Sequence, residues 1–132
     1  MMEEALIALL LADSGVAAIA GDRIHWLRRP QGEATPALVL SRVGGGHAYT
    51  YGGRDDLVET RVQIDAWAER LADVKALARA VNALLSGYRA SSGPIRSAFL
   101  NAERDGLHDA DLLGTLARVS LDFTIWHQEN TL

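Results

Sequence analysis

The sequence predicts one α+β domain, built from a mostly antiparallel sheet of about four or five strands with helices packed on one face. Apolar residues recur with a period of two at residues 58–67, with a helical period at 71–85, and with a period of two again at 117–126. A doubly wound parallel sheet would need more alternating helices than this pattern contains. No repeat or break in composition divides the 132 residues, so a single domain over 1–132 is expected.

Short elements are predicted in the N-terminal part of the chain. Glu3 and Glu4 precede a run of helix formers at 5–12 and place negative charge at the positive end of the helix dipole. A second apolar patch at 16–19 ends in a Gly-Asp turn, and residues 23–27 follow as a short candidate strand.

The central and final strands are predicted from their apolar residues. Residues 37–43 begin with a continuous apolar run, which is typical of a buried strand. At 58–67 apolar and polar side chains alternate, and only Thr60 interrupts the apolar side. A long strand at 117–126 alternates in the same way and can cover a helix with its apolar face.

One amphipathic helix is predicted between the two alternating strands. Its apolar stripe consists of Leu71, Val74, Leu77, Ala78, Val81, Leu84 and Leu85. Gly87 supplies the left-handed residue that commonly ends such a helix. Further along the chain, residues 95–103 have mixed strand character, and Asp105-Gly106 predicts a turn.

Residues 44–56 have the most unusual composition, because glycines are concentrated at both ends of the segment. Glycine frees the backbone and offers no side chain to pack, so a long hairpin tip or mobile arm is predicted. If the middle is extended, Tyr49 and Tyr51 lie on one face. The candidate residues of this assembly arm are Gly44, Gly45, Gly46, His47, Tyr49, Tyr51, Gly52, Gly53, Arg54, Asp55 and Asp56.

Composition excludes several classes of function. The formal net charge is -4, so the chain has no basic excess with which to bind nucleic acid tightly or to bind an anionic membrane. It contains no cysteine, which excludes disulfides and thiolate chemistry. The apolar run at 5–12 is too short to span a bilayer and follows acidic residues where a secretory signal would be basic. Synthesis in the cytoplasm and no contact with a membrane are expected.

We predict no catalytic residue, no cofactor site and no metal site. The four histidines, His25, His47, His108 and His127, have no metal-binding spacing and are expected to be surface or strand-edge side chains. The glycines at 44–46 match neither the dinucleotide-binding pattern nor the P-loop pattern. Glu59 and Asp65 point outward from a strand, where acidic side chains are usually solvated rather than paired for catalysis.

Two alternative functions stay open at this stage. A small hydrolase would use one of two polar groups, either His108, Asp109 and Asp111 or His47, Asp55 and Asp56. The first group falls in the predicted turn, where Asp is favoured for backbone reasons. A monomeric α+β module that binds a small ligand or a peptide against its sheet is the other alternative, and a dry apolar pocket would favour it.

Two tryptophans fall on the polar side of their strands. Trp67 and Trp126 would be exposed there unless the chain's own loops, a further helix or a neighbouring subunit covered them. Both are candidate subunit contacts.

The order of these elements resembles a known family. The resemblance rests on the N-terminal helix, on the segments Gly-Asp-Arg-Ile at 21–24 and Pro-Ala-Leu-Val-Leu at 36–40, on the strand at 62–67 that leads into an amphipathic helix, and on the final strand at 118–126. Over essentially the whole chain, this pattern is similar to the tail-completion, or tail-terminator, proteins of siphophages and gene-transfer agents.

The resemblance implies a structural protein of the virion tail, with no catalysis and no cofactor. Six copies would form a ring that caps the finished tail tube, stops polymerisation of the tail tube protein and joins the tail to the head connector protein. DNA would pass through the ring without sequence-specific binding, which suits an acidic subunit. The arm at 44–56 would reach the adjacent tube ring or subunit. A head-tail connector or another minor tail protein is the alternative within the virion.

Overall fold

The computed structural model describes residues 2–27, 34–45, 57–91, 93–110 and 114–128. Within these residues the chain forms three helices and six strands in one sheet. The helices are α1 (Met2–Ala12), α2 (Ser14–Ala20) and α3 (Leu71–Leu85). The strands are β1 (Ile24–Trp26), β2 (Ala37–Gly45), β3 (Leu57–Ala68), β4 (Tyr88–Arg89), β5 (Ile95–Ala110) and β6 (Gly114–Gln128).

The sheet has the strand order β1-β2-β3-β6-β5-β4. Only β1 and β2 are parallel, whereas every other neighbouring pair is antiparallel. The predicted α+β class is confirmed, with six strands in place of the four or five expected. The additional strand is β4, whose two residues are too few to show an alternating pattern.

All three helices pack on one face of the sheet and bury its apolar side chains. Ile64 of β3 lies beside Leu121 of β6, and both are fully buried. Above them α3 contributes Leu77 and Val81, and α1 contributes Leu6. Each fully buried side chain of this size stabilises the fold by about 1.5–3 kcal/mol. The apolar side chains of the two alternating predicted strands therefore form the sheet side of the core.

The helix ends follow from local chemistry, with one difference from prediction. Asp13 caps α2, since its carboxylate accepts a hydrogen bond of 3.0 Å from the backbone N–H of Val16. Gly87, after α3, has φ 77°, as the predicted helix stop requires. The prediction that Leu71 belongs to the buried apolar stripe of α3 is wrong, because Leu71 is the first helical residue and is 63% exposed. The buried stripe begins one turn later, at Val74.

The predicted turn at Asp105-Gly106 is wrong, because β5 runs straight through it to Ala110. Pairing with an extended partner strand outweighs the local preference of Asp-Gly for a turn, and Gly106 lies opposite Arg118 of β6. Glycine also fits for a steric reason. A Cβ at Gly106 would lie 3.1 Å from an Arg118 guanidinium nitrogen.

The predicted arm lies mostly outside the described residues. Gly44 and Gly45 belong to β2, where they pair with Arg61 and Thr60 of β3 after a bulge that follows Arg42. Residues 46–56, which connect these antiparallel strands, are not among the residues described, so the arm stays a prediction. Separately, none of the helices in the described ranges is long and apolar enough to cross a membrane.

Candidate assembly surface

The face of the sheet opposite the helices carries the most distinctive surface of the described residues. We call it the open face, and no described helix packs on it. Strand alternation and the β3–β6 register direct alternate side chains of these two strands to it. Its central members are Glu59, Arg61, Gln63, Asp65 and Trp67 of β3 and Arg118, Ser120, Asp122, Thr124 and Trp126 of β6.

A polar network holds the middle of the open face. Ser120 donates a hydrogen bond of 2.6 Å from Oγ to Oδ1 of Asp65. The side-chain amide of Gln63 donates to both carboxylate oxygens of Asp65, at 3.0 and 3.1 Å. These donors to the Asp65 carboxylate are all neutral, and together they fix its orientation on the open face.

An ion pair crosses the same face between β3 and β6. The Arg61 guanidinium donates to the Asp122 carboxylate, and that hydrogen bond, with the attraction between the two charges, raises the pKa of Arg61. Because Arg61 is exposed, water screens the attraction and the pair contributes little to stability. Its effect is to fix the position of two charges on a surface that another molecule can contact.

The two candidate contact residues lie at opposite ends of the open face. The Arg118 guanidinium stacks over Trp67, 5.5 Å from the ring centroid, and half-buries the indole. Trp126 is also half-buried, and its backbone neighbours across the sheet are Glu59 and Ser97. Each ring is therefore partly accessible, and the Arg118 guanidinium covers part of the Trp67 ring.

The proposed hydrolase groups are not assembled by the described residues. His108 and Asp109 lie in β5 and not in a turn, because the strand continues to Ala110. Asp111, His47, Asp55 and Asp56 fall outside the described residues. Among the residues described, no group of three or more His, Asp or Glu side chains has a metal-binding arrangement.

His127 is a buried residue, so the prediction that the histidines lie at the surface or at strand edges is wrong for it. It is 1% exposed, and its Nε2 lies 2.9 Å from the Thr60 hydroxyl oxygen. The signal was present in the sequence. Thr60 is the one polar residue on the apolar side of its strand, and a buried hydroxyl needs a hydrogen-bond partner.

A shallow apolar groove of about 290 Å³ lies between α1 and the segment that joins β4 to β5. Its lining residues are Ala5, Ala8, Leu9, Tyr88, Gly93, Pro94 and Ile95. None of these lining side chains is charged, so the groove has few of the polar groups that orient a ligand in a small-molecule site.

The two edges of the sheet differ in how well they are covered. At one edge, β4 pairs with β5 only at Ser97 and Ala98, and no described strand lies beside residues 99–110. At the other edge, β1 covers β2 at three positions and is itself the outermost strand described. Unpaired strand edges present backbone donors and acceptors to any extended partner.

Fold and surface together define a class. The described residues form a small α+β domain with an open sheet face and open sheet edges, features that suit contacts with other proteins. The family model described as tail completion protein gp17 matches residues 4–128, and the chain belongs to this family. It is therefore a structural component of a phage-type tail, which argues against an enzyme.

A solved structure has the same fold. It is a chain from the virion of a native gene transfer agent particle, with a TM-score of 0.61 and 20% sequence identity, and the match covers 92% of this chain and 90% of that chain. No curated protein gives a significant match.

Proposed function

We propose that this chain is the tail terminator: six copies form a ring that caps the finished tail tube, stops polymerisation of the tube protein and joins the tail to the head connector. The observation that carries the proposal is the family match over residues 4–128, which spans nearly all of α1 and every later element through Gln128. The whole domain, rather than a shared fragment, is thus similar to tail-completion proteins.

The surface supports a ring. A closed ring needs each subunit to present two different, complementary patches, since a patch that binds itself stops at a dimer. The open face and the two unequal edges supply such patches. A formal net charge of -4 also suits a ring through which DNA slides without binding, because the chain has no basic excess to hold phosphates.

We assign two parts of the molecule to contacts. Trp67 and Trp126 bind the neighbouring subunit, since half-buried tryptophans on an open sheet face gain most from burial in an interface. The arm at 44–56 reaches the adjacent tube ring or subunit. Replacing residues 46–56, which follow the last residue of β2, with a two-residue turn should abolish tail joining and leave the unfolding temperature unchanged. Normal joining by the shortened protein would remove the arm from the proposal.

The decisive experiment is electron microscopy of particles made by the source phage or gene-transfer agent with this gene deleted. Overlong tubes beside filled, tailless heads are the expected result, because nothing would stop tube growth or present a surface to the connector. Normal joined particles would remove the tail role and favour the monomeric binding module.

A second role within the virion is the alternative to tail termination. The similar chain is described only as part of a whole gene transfer agent virion. A head-tail connector or another minor tail protein would have the same fold class and size. Deletion would then leave tails of normal length that fail to join heads, which separates this role from termination.

A further inference from the structure

We infer that the uncovered edge of β5 pairs with the β1 edge of a second copy of this chain, so that the sheet continues from one subunit into the next. This inference rests on the proposed ring and specifies its contact. We call residues 99–110 the β5 open edge, and Leu27 with β1 the β1 edge. At about 3.3 Å per residue, the β5 open edge is roughly 35–40 Å long.

The backbone of the β5 open edge has hydrogen-bonding groups that point away from the sheet. The N–H of Gly87 donates to the Ala98 carbonyl at 3.0 Å, so the backbone of Ala98 faces β4 and turns away from its neighbour Ile125 of β6. At the end of β6 the N–H of Gln128 donates to the Pro94 carbonyl at 2.7 Å. The backbone N–H and C=O groups of even-numbered β6 residues therefore point to β5, and those of odd-numbered β6 residues point away from it.

This alternation identifies the outward groups beyond β4. Glu103 lies beside Leu121, and Asp105 lies beside Val119. Both partners are odd-numbered β6 residues, so the N–H and C=O groups of Glu103 and Asp105 point to the β5 open edge. Arg104, beside Ser120, uses its backbone groups to bind β6.

The β1 edge is the partner that fits this edge in direction. β1 runs parallel to β2, and the three successive antiparallel pairings from β2 to β5 make β5 antiparallel to both. Copies placed side by side without inversion therefore bring β5 of one subunit against β1 of the next in antiparallel orientation. Such a contact joins two different patches and can close into a ring.

Apolar exposure also matches between the edges, whereas charge does not decide the pairing. The β5 open edge carries the exposed Glu103 beside the exposed Arg104, and its Asp105 carboxylate binds Nζ of Lys75 at 2.8 Å. Each edge also carries an exposed large apolar side chain, Phe99 at 43% and Leu27 at 68%. Burial of these two apolar side chains on pairing would favour contact between the edges.

A proline substitution tests the backbone contact. Glu103→Pro removes an outward N–H without removing a bond to β6, and Glu103→Ala removes the same carboxylate while keeping the N–H. In complementation of the gene deletion, we expect Glu103→Pro to reduce joined particles at least about tenfold relative to Glu103→Ala, at a similar unfolding temperature. Equal yields from the two variants would overturn the inference. Arg104→Pro, which breaks a bond to β6, should instead lower the unfolding temperature.

Cross-linking tests the partner. The chain has no cysteine, so introduced thiols are the only ones that it carries. Trp26 pairs with Leu40, so the next residue, Leu27, lies beside Ser41. Ser41 is joined across the sheet to Ala102 through Gln63 and Asp122. Leu27 and Ala102 therefore lie at the same height along the strand direction. In complemented particles treated with a short bismaleimide, the double variant Leu27→Cys with Ala102→Cys should give a ladder of oligomers, and each single variant should give monomers.

The outcomes separate this inference from the proposed function. Joined particles in which the double variant stays monomeric would overturn edge pairing and leave the terminator role standing. Dimers from Ala102→Cys alone would mean that the β5 open edge pairs with itself, which also overturns it. Normal particles without the gene would instead remove the proposed function.

Discussion

The two faces of the sheet are made by the same strands and have opposite chemistry. On the helix side, alternate residues of β3 and β6 are apolar and buried, as at Ile64 and Phe123. On the open face, the residues between them form hydrogen bonds and an ion pair, as at Asp65 with Ser120 and Arg61 with Asp122. The comparison teaches that core packing and a polar surface are assigned to alternate residues, so substitutions on the two faces should have separable effects.

The largest effect is expected from a truncation on the helix side. Phe123 is fully buried, so Phe123→Ala should lower the free energy of unfolding by about 3–5 kcal/mol through lost burial and a cavity. Phe99→Ala is the matched control, because Phe99 is 43% exposed on β5 and should cost about 1 kcal/mol or less. Urea unfolding of both variants measures the difference. Similar losses would contradict the separation of the faces.

A smaller effect is expected where the helix side contains polar groups. Thr60→Val removes the hydroxyl that lies 2.9 Å from Nε2 of the buried His127, and it should cost about 1–3 kcal/mol because a ring nitrogen loses a partner away from water. Thr124→Val makes the same change on the open face, where the Asn101 amide donates to Thr124. Solvent can replace that bond, so a loss within about 0.5 kcal/mol is expected. A stable Thr60→Val protein would mean that the buried pair contributes nothing.

The smallest stability effect is expected from the ion pair on the open face. Arg61→Gln should leave the free energy of unfolding almost unchanged, since water screens an exposed pair. If this face is a subunit contact, the same variant should reduce the yield of joined particles by more than its stability loss explains. Urea unfolding and particle counts on one preparation test both parts. A large stability loss would show that the open face contributes to folding.

Much of the fold was predictable because its signals are local. The alternating pattern predicted the strands at 58–67 and 117–126, and the helical stripe predicted α3. The same alternation assigned Trp67 and Trp126 to the side opposite the core, where the register also has them. Their role as contacts is still a prediction, as is the arm at 44–56.

The predictions failed where a distant partner outweighed a local preference. Asp105-Gly106 has the composition of a turn, but pairing along β6 holds both residues in a strand. β4 has only two residues and depends on β5 for its hydrogen bonds. His127 is buried through a contact with Thr60, 67 residues earlier in the chain. The first two outcomes have no signal within a window of neighbouring residues, whereas His127 continues the odd-numbered apolar side of β6.

The sequence by itself determined the period of each main element, and therefore which side chains can share a face, because side-chain direction follows from backbone geometry within a strand or helix. Tertiary structure alone decided the strand order, which face the helices cover and which edges no described strand covers. These depend on contacts between segments far apart in the chain, whose closure is favourable only when the whole core forms together. The surface that we assign to assembly is what that core leaves uncovered.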